Sequence, residues 1–295
     1  MKLASAEVAS VAGLVMDLCG ILLDESKGYL IESRLAPIAQ HHGLGSYTEL
    51  VQKARVGYDQ QLLKQIVDAI TTNETLFFRD ESPFEALRHK AIPELIDAKS
   101  KTAFPRRLRI WSAACSTGQE PYSIAMTLHE LIPDIHAWDI SIHATDICDA
   151  AIEQASMGTY SAFEVERGMK PQYLDRFLVR HNASWKVRDE VRALVSFQNL
   201  NLMQPLMGLG PFDVVFCRNV AIYFTPEGRR NVFQKIAQTM TRDGYLFVGC
   251  AESLADMGPQ YTPHHHCRGM YYRPNLPALG DPARASTAAS TPVRR

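Results

Sequence analysis

The sequence predicts an α/β protein, in which a sheet with helices on both faces follows an all-helical N-terminal region. Two observations predict this fold class. From about residue 10 to residue 72, apolar residues recur at steps of three and four, which is the helical period. Beyond residue 106, short apolar runs alternate with helical stretches, and this alternation is typical of a parallel sheet.

Composition and charge exclude several classes of protein. The chain has 295 residues, of which 46% are hydrophobic, and its formal net charge is -1. Such a chain has no general field that attracts nucleic acid or an anionic membrane. Its six cysteines include no C-x-x-C pair, and no apolar run reaches the roughly 18 residues of a membrane-spanning helix. We therefore expect a soluble, cytoplasmic protein in a reducing compartment.

The first 72 residues predict a bundle of four short helices. The breaks between them are expected at Asp24–Ser26, at Gly43–Gly45 and near Gly57. The segment Ser26–Val56 has four Lys or Arg residues against two Glu, which is a local charge of +2. Charge of this kind is usually a solvated helix face, and a docking surface for an acidic partner is the alternative.

Five apolar runs beyond residue 106 predict the strands of the sheet. Helices are predicted between them at Tyr122–Leu131 and at about Pro226–Met240. Ligands of such sheets bind beyond the carboxyl ends of the strands, so the residues that follow each strand are candidates for a site. The predicted strands are Leu108–Ala113, Ile140–Ala144, Val195–Phe197, Phe212–Phe216 and Tyr245–Val248.

Two segments do not fit this alternation. The 38 residues Met157–Leu194 are too many for an ordinary connection between a helix and a strand, so we expect a small structure with a polar hairpin. The run His264–Cys267 contains residue types that bind metals, but no second ligand cluster with zinc spacing accompanies it. We therefore predict a polar turn there and no metal.

Polar residues stand after three of the predicted strands. Small residues from Ser112 to Gly118 lead to a helix start at Pro121, in a loop that lacks the glycine fingerprint of a dinucleotide site. Asp146 ends the second strand, where a carboxylate either accepts hydrogen bonds from a ribose diol or caps the next helix. Arg218 and Asn219 follow the fourth strand and place polar groups in the crevice.

Four longer strings stand in order along the chain. They are N-E-T-x-F-F-R at residues 73–79, W-S-A-A-C-S-T-G-x-E-P-Y-S at 111–123, A-T-D-I at 144–147 and F-C-R-N-V-x-I-Y-F at 216–224. Together they resemble the chemotaxis receptor methyltransferase family, known as CheR, and the match extends from about residue 10 to residue 274. Several long motifs in the right order are far more specific than any single glycine loop.

The resemblance implies transfer of a methyl group from S-adenosyl-L-methionine to glutamate side chains on the cytoplasmic helices of chemoreceptors, with S-adenosyl-L-homocysteine as the second product. It implies an all-α domain over residues 1–72 and a Rossmann-like methyltransferase domain over 73–274, with a small antiparallel β-subdomain at about 157–194. The implied partner is the receptor's helical bundle, docked through the basic N-terminal region, with no nucleic acid and no membrane insertion. The composition of residues 275–295 predicts a disordered tail.

The resemblance also implies the residues of the site. Arg79 and Tyr223 match residues that are associated with catalysis beside the transferred methyl group. By position, Asp146 is expected at the ribose, Glu120 at a polar part of the cofactor and Asn201 at the adenine side. The implied cofactor contacts are Asn73, Thr75, Arg79, Glu120, Asp146, Asn201, Leu202, Arg218 and Asn219.

The implied chemistry needs no general base. A sulfonium methyl is already activated, and a free glutamate with a pKa of about 4.3 is ionised at neutral pH. The enzyme must remove water from that carboxylate and hold one oxygen in line with the methyl carbon and the sulfur. A bidentate clamp would lower the nucleophilicity of the carboxylate, so we expect Arg79 to pair loosely or to organise the surroundings of the cofactor.

Two other functions are weighed against this one. The first is methyl transfer to a small molecule or nucleic acid, although the near-neutral charge argues against nucleic acid. The second is a non-catalytic adapter, which the presence of Arg79 and Tyr223 disfavours. Family members that bind a receptor pentapeptide carry a longer, glycine-containing loop in the β-subdomain. Here the matching turn, Arg180–Lys186, is short and has no glycine, which predicts that no pentapeptide tether is needed.

Overall fold

A computed structural model of the chain describes residues 3–56, 59–101, 106–266 and 268–276. The helix break predicted near Gly57, Cys267 of the histidine run and all but the first two residues of the predicted tail lie outside the described residues. None of the helices in the described ranges is long and apolar enough to cross a membrane.

The N-terminal region is all-helical, as the periodicity predicts. Its helices are α1 (Ser5–Cys19), α2 (Gly28–His41), α3 (Tyr47–Val56) and α4 (Gln60–Ile70). Their apolar faces meet in one core, to which α4 contributes the buried side chains of Leu62, Ile66 and Ile70. Helix α1 ends at Gly20, whose φ of 72° is the left-handed conformation that commonly stops a helix.

The rest of the described chain forms a large sheet, its covering helices and a smaller sheet. In chain order, these elements are α5 (Glu81–Ala86), α6 (Ile92–Ser100), β1 (Arg107–Ala113), α7 (Gln119–Leu131), β2 (Asp139–Asp146), α8 (Asp149–Met157), β3 (Thr159–Ser161), α9 (Ala162–Glu166), α10 (Pro171–Phe177), β4 (Leu178–His181), β5 (Ser184–Val187), α11 (Asp189–Arg192), β6 (Val195–Asn199), β7 (Phe212–Cys217), α12 (Pro226–Gln238), β8 (Met240–Phe247), β9 (Tyr261–His266) and β10 (Gly269–Pro274). The five predicted strands are present as β1, β2, β6, β7 and β8.

The large sheet is mixed rather than parallel throughout. Over the described ranges its order is β6-β2-β1-β7-β8-β10-β9. The first five strands are parallel, β10 runs antiparallel to β8, and β9 runs antiparallel to β10. The sequence did not predict the β9–β10 hairpin, because His264–His266 and Pro263 lack an alternating apolar pattern. The predicted polar turn at these histidines is wrong, since they lie in strand β9, where His264 stacks on Tyr271.

Helices cover both faces of the sheet, as predicted. Alternate residues of a strand point to opposite faces. On β7, Val214 and Phe216 pack in the core that contains α5, α6 and α7, whereas Val215 and Cys217 pack in the core that contains α12. The sheet is thus buried on both sides, which leaves its carboxyl edge as the surface where polar groups can collect.

The long insertion forms a separate small sheet, as the resemblance implies. Its strands are antiparallel in the order β3-β5-β4. Helices α9 and α10 pack against them, and α11 packs against α7. The predicted polar hairpin is β4–β5, which turns at Asn182 and Ala183. Asn182 has a φ of 55°, a left-handed conformation that asparagine tolerates better than most residues. On this hairpin the Arg180 guanidinium lies 4.6 Å from the ring centroid of Trp185.

Candidate functional site

A cavity lies at the carboxyl ends of β1, β2 and β7, and the N-terminal region forms part of its wall. It is a partly open cleft, and the empty space within it, counted together with adjoining solvent, is about 880 Å³. The structure brings together at this cavity every residue that the resemblance implies: Asn73, Thr75, Arg79, Glu120, Asp146, Asn201, Leu202, Arg218, Asn219 and Tyr223.

The loop after β1 brings the second strand and the N-terminal junction together. Ser116 has a left-handed φ of 51°, which directs its N–H to Asp146 Oδ2 at 2.8 Å, while its hydroxyl donates to the Asn73 carbonyl at 2.8 Å. Gly118 ends the loop with a φ of 94°, and a Cβ there would lie 2.8 Å from the Ala155 Cβ. The loop therefore requires its single glycine for close packing against α8, as well as for the backbone turn.

Asp146 is buried and held by main-chain donors. Its Oδ1 accepts from the Cys148 N–H at 2.9 Å, and its Oδ2 accepts from the Ser116 N–H. Burial raises the pKa of Asp146 above the ordinary 3.8, and these hydrogen bonds oppose the increase. The alternative interpretation of Asp146 as a helix N-cap is wrong, because the N-cap of α8 is Cys148.

A buried ion network links the loops after β1 and β7. The Arg218 guanidinium donates to Glu120 Oε2 at 2.9 Å and to Asp80 Oδ2 at 3.0 Å, and it also donates to the Arg79 carbonyl at 2.6 Å. The other Glu120 oxygen accepts from the Ser112 hydroxyl at 2.7 Å. The Arg218 side chain is 1% exposed and that of Glu120 is 11% exposed, so this ion pair is shielded from water beside the cavity, whereas the Asp80 side chain is 32% exposed.

The two residues implied in catalysis are held in different ways. The Arg79 guanidinium is partly exposed and donates one hydrogen bond to the Glu74 carbonyl at 2.8 Å. Tyr223 is held through its main chain, because its carbonyl accepts from the Leu22 N–H at 2.8 Å. An antiparallel bridge between Ile21 and Phe224 extends this contact, so the N-terminal region supports the segment that carries Tyr223.

Asn201 lines the cavity, but its amide is engaged by the protein. Its Nδ2 donates to the Leu18 carbonyl at 2.8 Å, and its Oδ1 accepts from the Met203 N–H at 2.9 Å. The side chain thus ties the end of α1 to the loop after β6. These two bonds make Asn201 a link between the two regions, and its expected place at the adenine side stays a prediction.

The wall of the cavity includes residues that sequence reasoning missed. Cys19 and Ile21 enter from the N-terminal region, and nothing in their local sequence distinguishes them from core residues. Thr71 and Thr72 also line it, immediately before the N-E-T motif. Ser116 also lines it and had an available signal, because it stands inside the motif at residues 111–123.

The fold and the cavity together define a class of protein: a Rossmann-like methyltransferase preceded by an all-α domain. Comparison with protein families gives the same result. A sequence model of the CheR methyltransferase all-alpha domain matches residues 6–71, and one of the CheR methyltransferase SAM binding domain matches residues 73–268. The chain therefore belongs to the CheR methyltransferase family, and its cofactor is S-adenosyl-L-methionine.

Curated relatives extend this match over most of the chain. Chemotaxis protein methyltransferase 1 of Pseudomonas aeruginosa is 40% identical over 260 residues, which cover 86% of this chain and 93% of the relative. Chemotaxis protein methyltransferase Cher2 of Pseudomonas putida is 39% identical over 86% of this chain and 93% of its own length. The corresponding enzyme of Vibrio parahaemolyticus is 39% identical over 86% and 92%.

The residues of the cavity fit this cofactor. Among the described lining residues, the carboxylates of Glu74, Glu120 and Asp146 outnumber the guanidinium groups of Arg79 and Arg218 by one, a formal charge of -1. S-adenosyl-L-methionine carries a sulfonium in addition to its amino and carboxylate groups, which gives it a net positive charge. The cavity thus has the sign of charge that complements the cofactor.

Proposed function

We propose that this protein transfers the methyl group of S-adenosyl-L-methionine to glutamate side chains of chemoreceptors and forms glutamate 5-O-methyl esters. The observation that carries the proposal is one cavity in which Arg79 and Tyr223 lie with the buried acids Glu120 and Asp146. The names of the relatives, chemotaxis protein methyltransferases, support an acceptor of this kind. We further propose that the protein acts in the cytoplasm, where the helical bundle of a receptor is accessible.

The roles of the residues follow from their contacts. When bound, the cofactor supplies an electrophilic methyl group that an ionised glutamate attacks without a general base. Asp146 accepts hydrogen bonds from the ribose through lone pairs that its main-chain donors leave unused. Arg79 is oriented by its bond to the Glu74 carbonyl, and its other N–H groups attract the acceptor carboxylate without a bidentate lock. Tyr223 contributes its hydroxyl and part of the wall.

The proposal is tested by transfer of labelled methyl from S-adenosyl-L-methionine to membranes that contain chemoreceptors, followed by alkali treatment. We expect label on the receptor that alkali releases as volatile methanol, because methyl esters hydrolyse in alkali. Alkali-stable label would contradict an ester product. No transfer, with cofactor binding intact, would favour another acceptor or a non-catalytic adapter.

The raised pKa of Asp146 predicts a pH dependence of cofactor binding. The ionised carboxylate accepts hydrogen bonds from ribose hydroxyls, and the protonated acid is a poorer acceptor, so affinity is constant above the pKa and falls below it. Because burial raises this pKa, the affinity for the cofactor begins to fall at a higher pH than it would if Asp146 had the ordinary pKa of 3.8. The loss is at most about tenfold per unit of pH for one proton.

Calorimetric titration of the protein with S-adenosyl-L-homocysteine between neutral and mildly acidic pH measures this dependence. The Asp146→Asn variant is the matched control, since it cannot titrate and its affinity should be lower but independent of pH in that range. An unchanged pH profile in Asp146→Asn would show that another group is responsible.

The charge of the N-terminal region is partly engaged within the protein. Arg34 donates to carbonyl groups at the end of α4, and Arg55 forms an ion pair of 2.8 Å with Asp17. The Lys27 ammonium lies 3.3 Å from the Leu22 carbonyl, next to the main chain that supports Tyr223. We propose that an acidic receptor bundle docks on this region, with Lys27 at the edge nearest the cavity.

Two exposed apolar side chains beside Tyr223 provide a test of this docking. Leu22 is 43% exposed and Ile222 is 60% exposed, and both flank the bridge between Ile21 and Phe224. We expect Ile222→Glu to raise the KM for receptor by about tenfold or more, because it removes an apolar contact and adds a charge that repels an acidic helix. The cofactor Kd should stay unchanged.

The matched control for this measurement is Met207→Glu, which adds the same charge at a side chain that is 90% exposed in the loop before β7. Steady-state methylation at varied receptor concentration gives the KM of both variants. Equal KM values for Ile222→Glu and the unaltered protein would show that the receptor does not contact the surface formed by Leu22 and Ile222.

We also propose that methylation needs no pentapeptide tether. The β4–β5 hairpin is closed by only Asn182 and Ala183, which leaves no long loop beside the strand. Receptors that lack their C-terminal pentapeptide should therefore be methylated at the same rate as intact receptors. A micromolar or tighter Kd for the isolated pentapeptide, measured by calorimetry, would overturn this proposal.

A further inference from the structure

Glu252 joins the loops that follow β7 and β8. Its Oε2 accepts from the Asn219 N–H at 2.7 Å and from the Gly249 N–H at 2.7 Å, and the Glu252 N–H donates back to the Gly249 carbonyl at 2.8 Å. The residue is 9% exposed and does not line the cavity. A buried carboxylate with two main-chain donors is a strong constraint, because each bond is charge-assisted and shielded from water.

The main chain at Asn219 needs such a constraint. Asn219 has a φ of 56°, a left-handed conformation that asparagine adopts more readily than most residues but that still costs free energy unless its surroundings support it. The Asn219 side chain then lines the cavity, and the chain continues four residues to Tyr223. The hydrogen bond from the Asn219 N–H to Glu252 therefore fixes the main chain at the residue where it takes this left-handed conformation.

In the loop after β8, the contact with Glu252 requires a glycine at position 249. A Cβ on Gly249 would lie 2.7 Å from Glu252 Oε2 and 2.8 Å from Asn219 Nδ2, so only glycine allows the three residues to approach this closely. The second carboxylate oxygen, Oε1, has no hydrogen-bond partner among the described residues. The carboxylate is thus committed to the two main-chain donors rather than to a surface ion pair.

We propose that Glu252 is a positioning residue, which sets the orientation of Asn219 and the following segment to Tyr223 for methyl transfer. Misplacement of reacting groups by about 1 Å lowers a rate by up to about 100-fold. The other walls of the cavity, at Asn73, Asp146 and Leu202, do not depend on Glu252 for any contact in the structure. Loss of Glu252 therefore lowers kcat much more than it weakens cofactor binding.

The Glu252→Ala and Glu252→Gln variants test this proposal. Glutamine keeps an oxygen that can accept both N–H bonds, and its NH₂ group occupies the place of the unpartnered Oε1. We expect Glu252→Ala to lower kcat by about 10- to 100-fold and to change the Kd for S-adenosyl-L-homocysteine by less than about threefold. Glu252→Gln should restore kcat to within about threefold. Glu166→Ala, at an exposed glutamate of α9, is the control.

Hydrogen exchange supplies a readout that does not depend on the acceptor. In Glu252→Ala the amides of Asn219 and Gly249 should exchange at least about tenfold faster, while amides of the core strands β1 and β7 keep their protection. A wild-type kcat in Glu252→Ala, or faster exchange spread over the whole sheet, would overturn the inference.

The kinetic part of this test rests on the proposed function. An absence of receptor methylation by the unaltered protein would contradict that function, while the exchange measurement would still decide the role of Glu252.

Discussion

Replacing Arg218 with methionine is expected to lower the free energy of unfolding by about 3–5 kcal/mol. The guanidinium is almost fully buried and pairs with Glu120 and Asp80 at 2.9 and 3.0 Å. Methionine fills similar space but leaves the Glu120 carboxylate, whose side chain is 11% exposed, without its cation. Of the donors among the described residues, it then keeps only the Ser112 hydroxyl. An unpaired buried charge costs far more than the pair contributes, which is why the expected effect is large.

Denaturant unfolding of the full chain at neutral pH measures this loss. The matched control is Arg55→Met, because Arg55 and Asp17 form a similar ion pair of 2.8 Å whose side chains are 50% and 64% exposed. That variant should lose less than about 1 kcal/mol. Equal losses in the two variants would contradict the role given to the buried network.

The position of the cavity could be predicted from the sequence. Its strands are recognisable as continuous apolar runs, and several residues of the cavity stand at the ends of those runs. Asp146 is the last residue of β2, and Arg218 and Asn219 stand directly after β7. In a parallel sheet the carboxyl ends of strands meet at one edge. The sequence does not predict which polar side chains form pairs at that edge. The Arg218–Glu120 contact joins positions 98 residues apart, and only the packed structure shows that it is buried.

Tertiary packing also decided what the sequence missed. Cys19 and Ile21 face the cavity because the end of α1 is tied to the methyltransferase sheet by Asn201 and by the bridge to Phe224. In a periodicity analysis these residues belong to the apolar pattern of a helix end, and their second role has no local signal. Likewise, the sequence suggests that Arg34 belongs to a docking surface. In the folded chain its guanidinium instead donates hydrogen bonds to carbonyl groups at the end of α4.

The Arg79→Ala variant is expected to lower kcat for receptor methylation by about 100-fold or more, with an almost unchanged free energy of unfolding. The side chain makes one hydrogen bond, to the Glu74 carbonyl at a partly exposed position, so its removal costs the fold little. The Arg79 carbonyl, which accepts from Arg218, is retained in alanine. The substitution therefore removes a positive charge from the cavity without disturbing the buried network beneath it.

The reason for the large effect on rate is electrostatic. The acceptor carboxylate loses water as it enters the cavity, and a guanidinium beside it offsets the cost of that desolvation and holds the oxygen near the methyl group. Arg79→Lys keeps the charge but not the planar donors, so it should recover part of the rate. Single-turnover methylation with saturating cofactor separates this step from binding.

Arg176→Ala is the matched control, because it removes an exposed arginine of α10 that does not line the cavity. It should methylate receptor at the rate of the unaltered protein. If Arg79→Ala retained that rate while it bound S-adenosyl-L-homocysteine normally, Arg79 would not act on the acceptor. The segment Asn219–Tyr223, held by Glu252 and by the Leu22 N–H, would then have to orient the carboxylate through Tyr223.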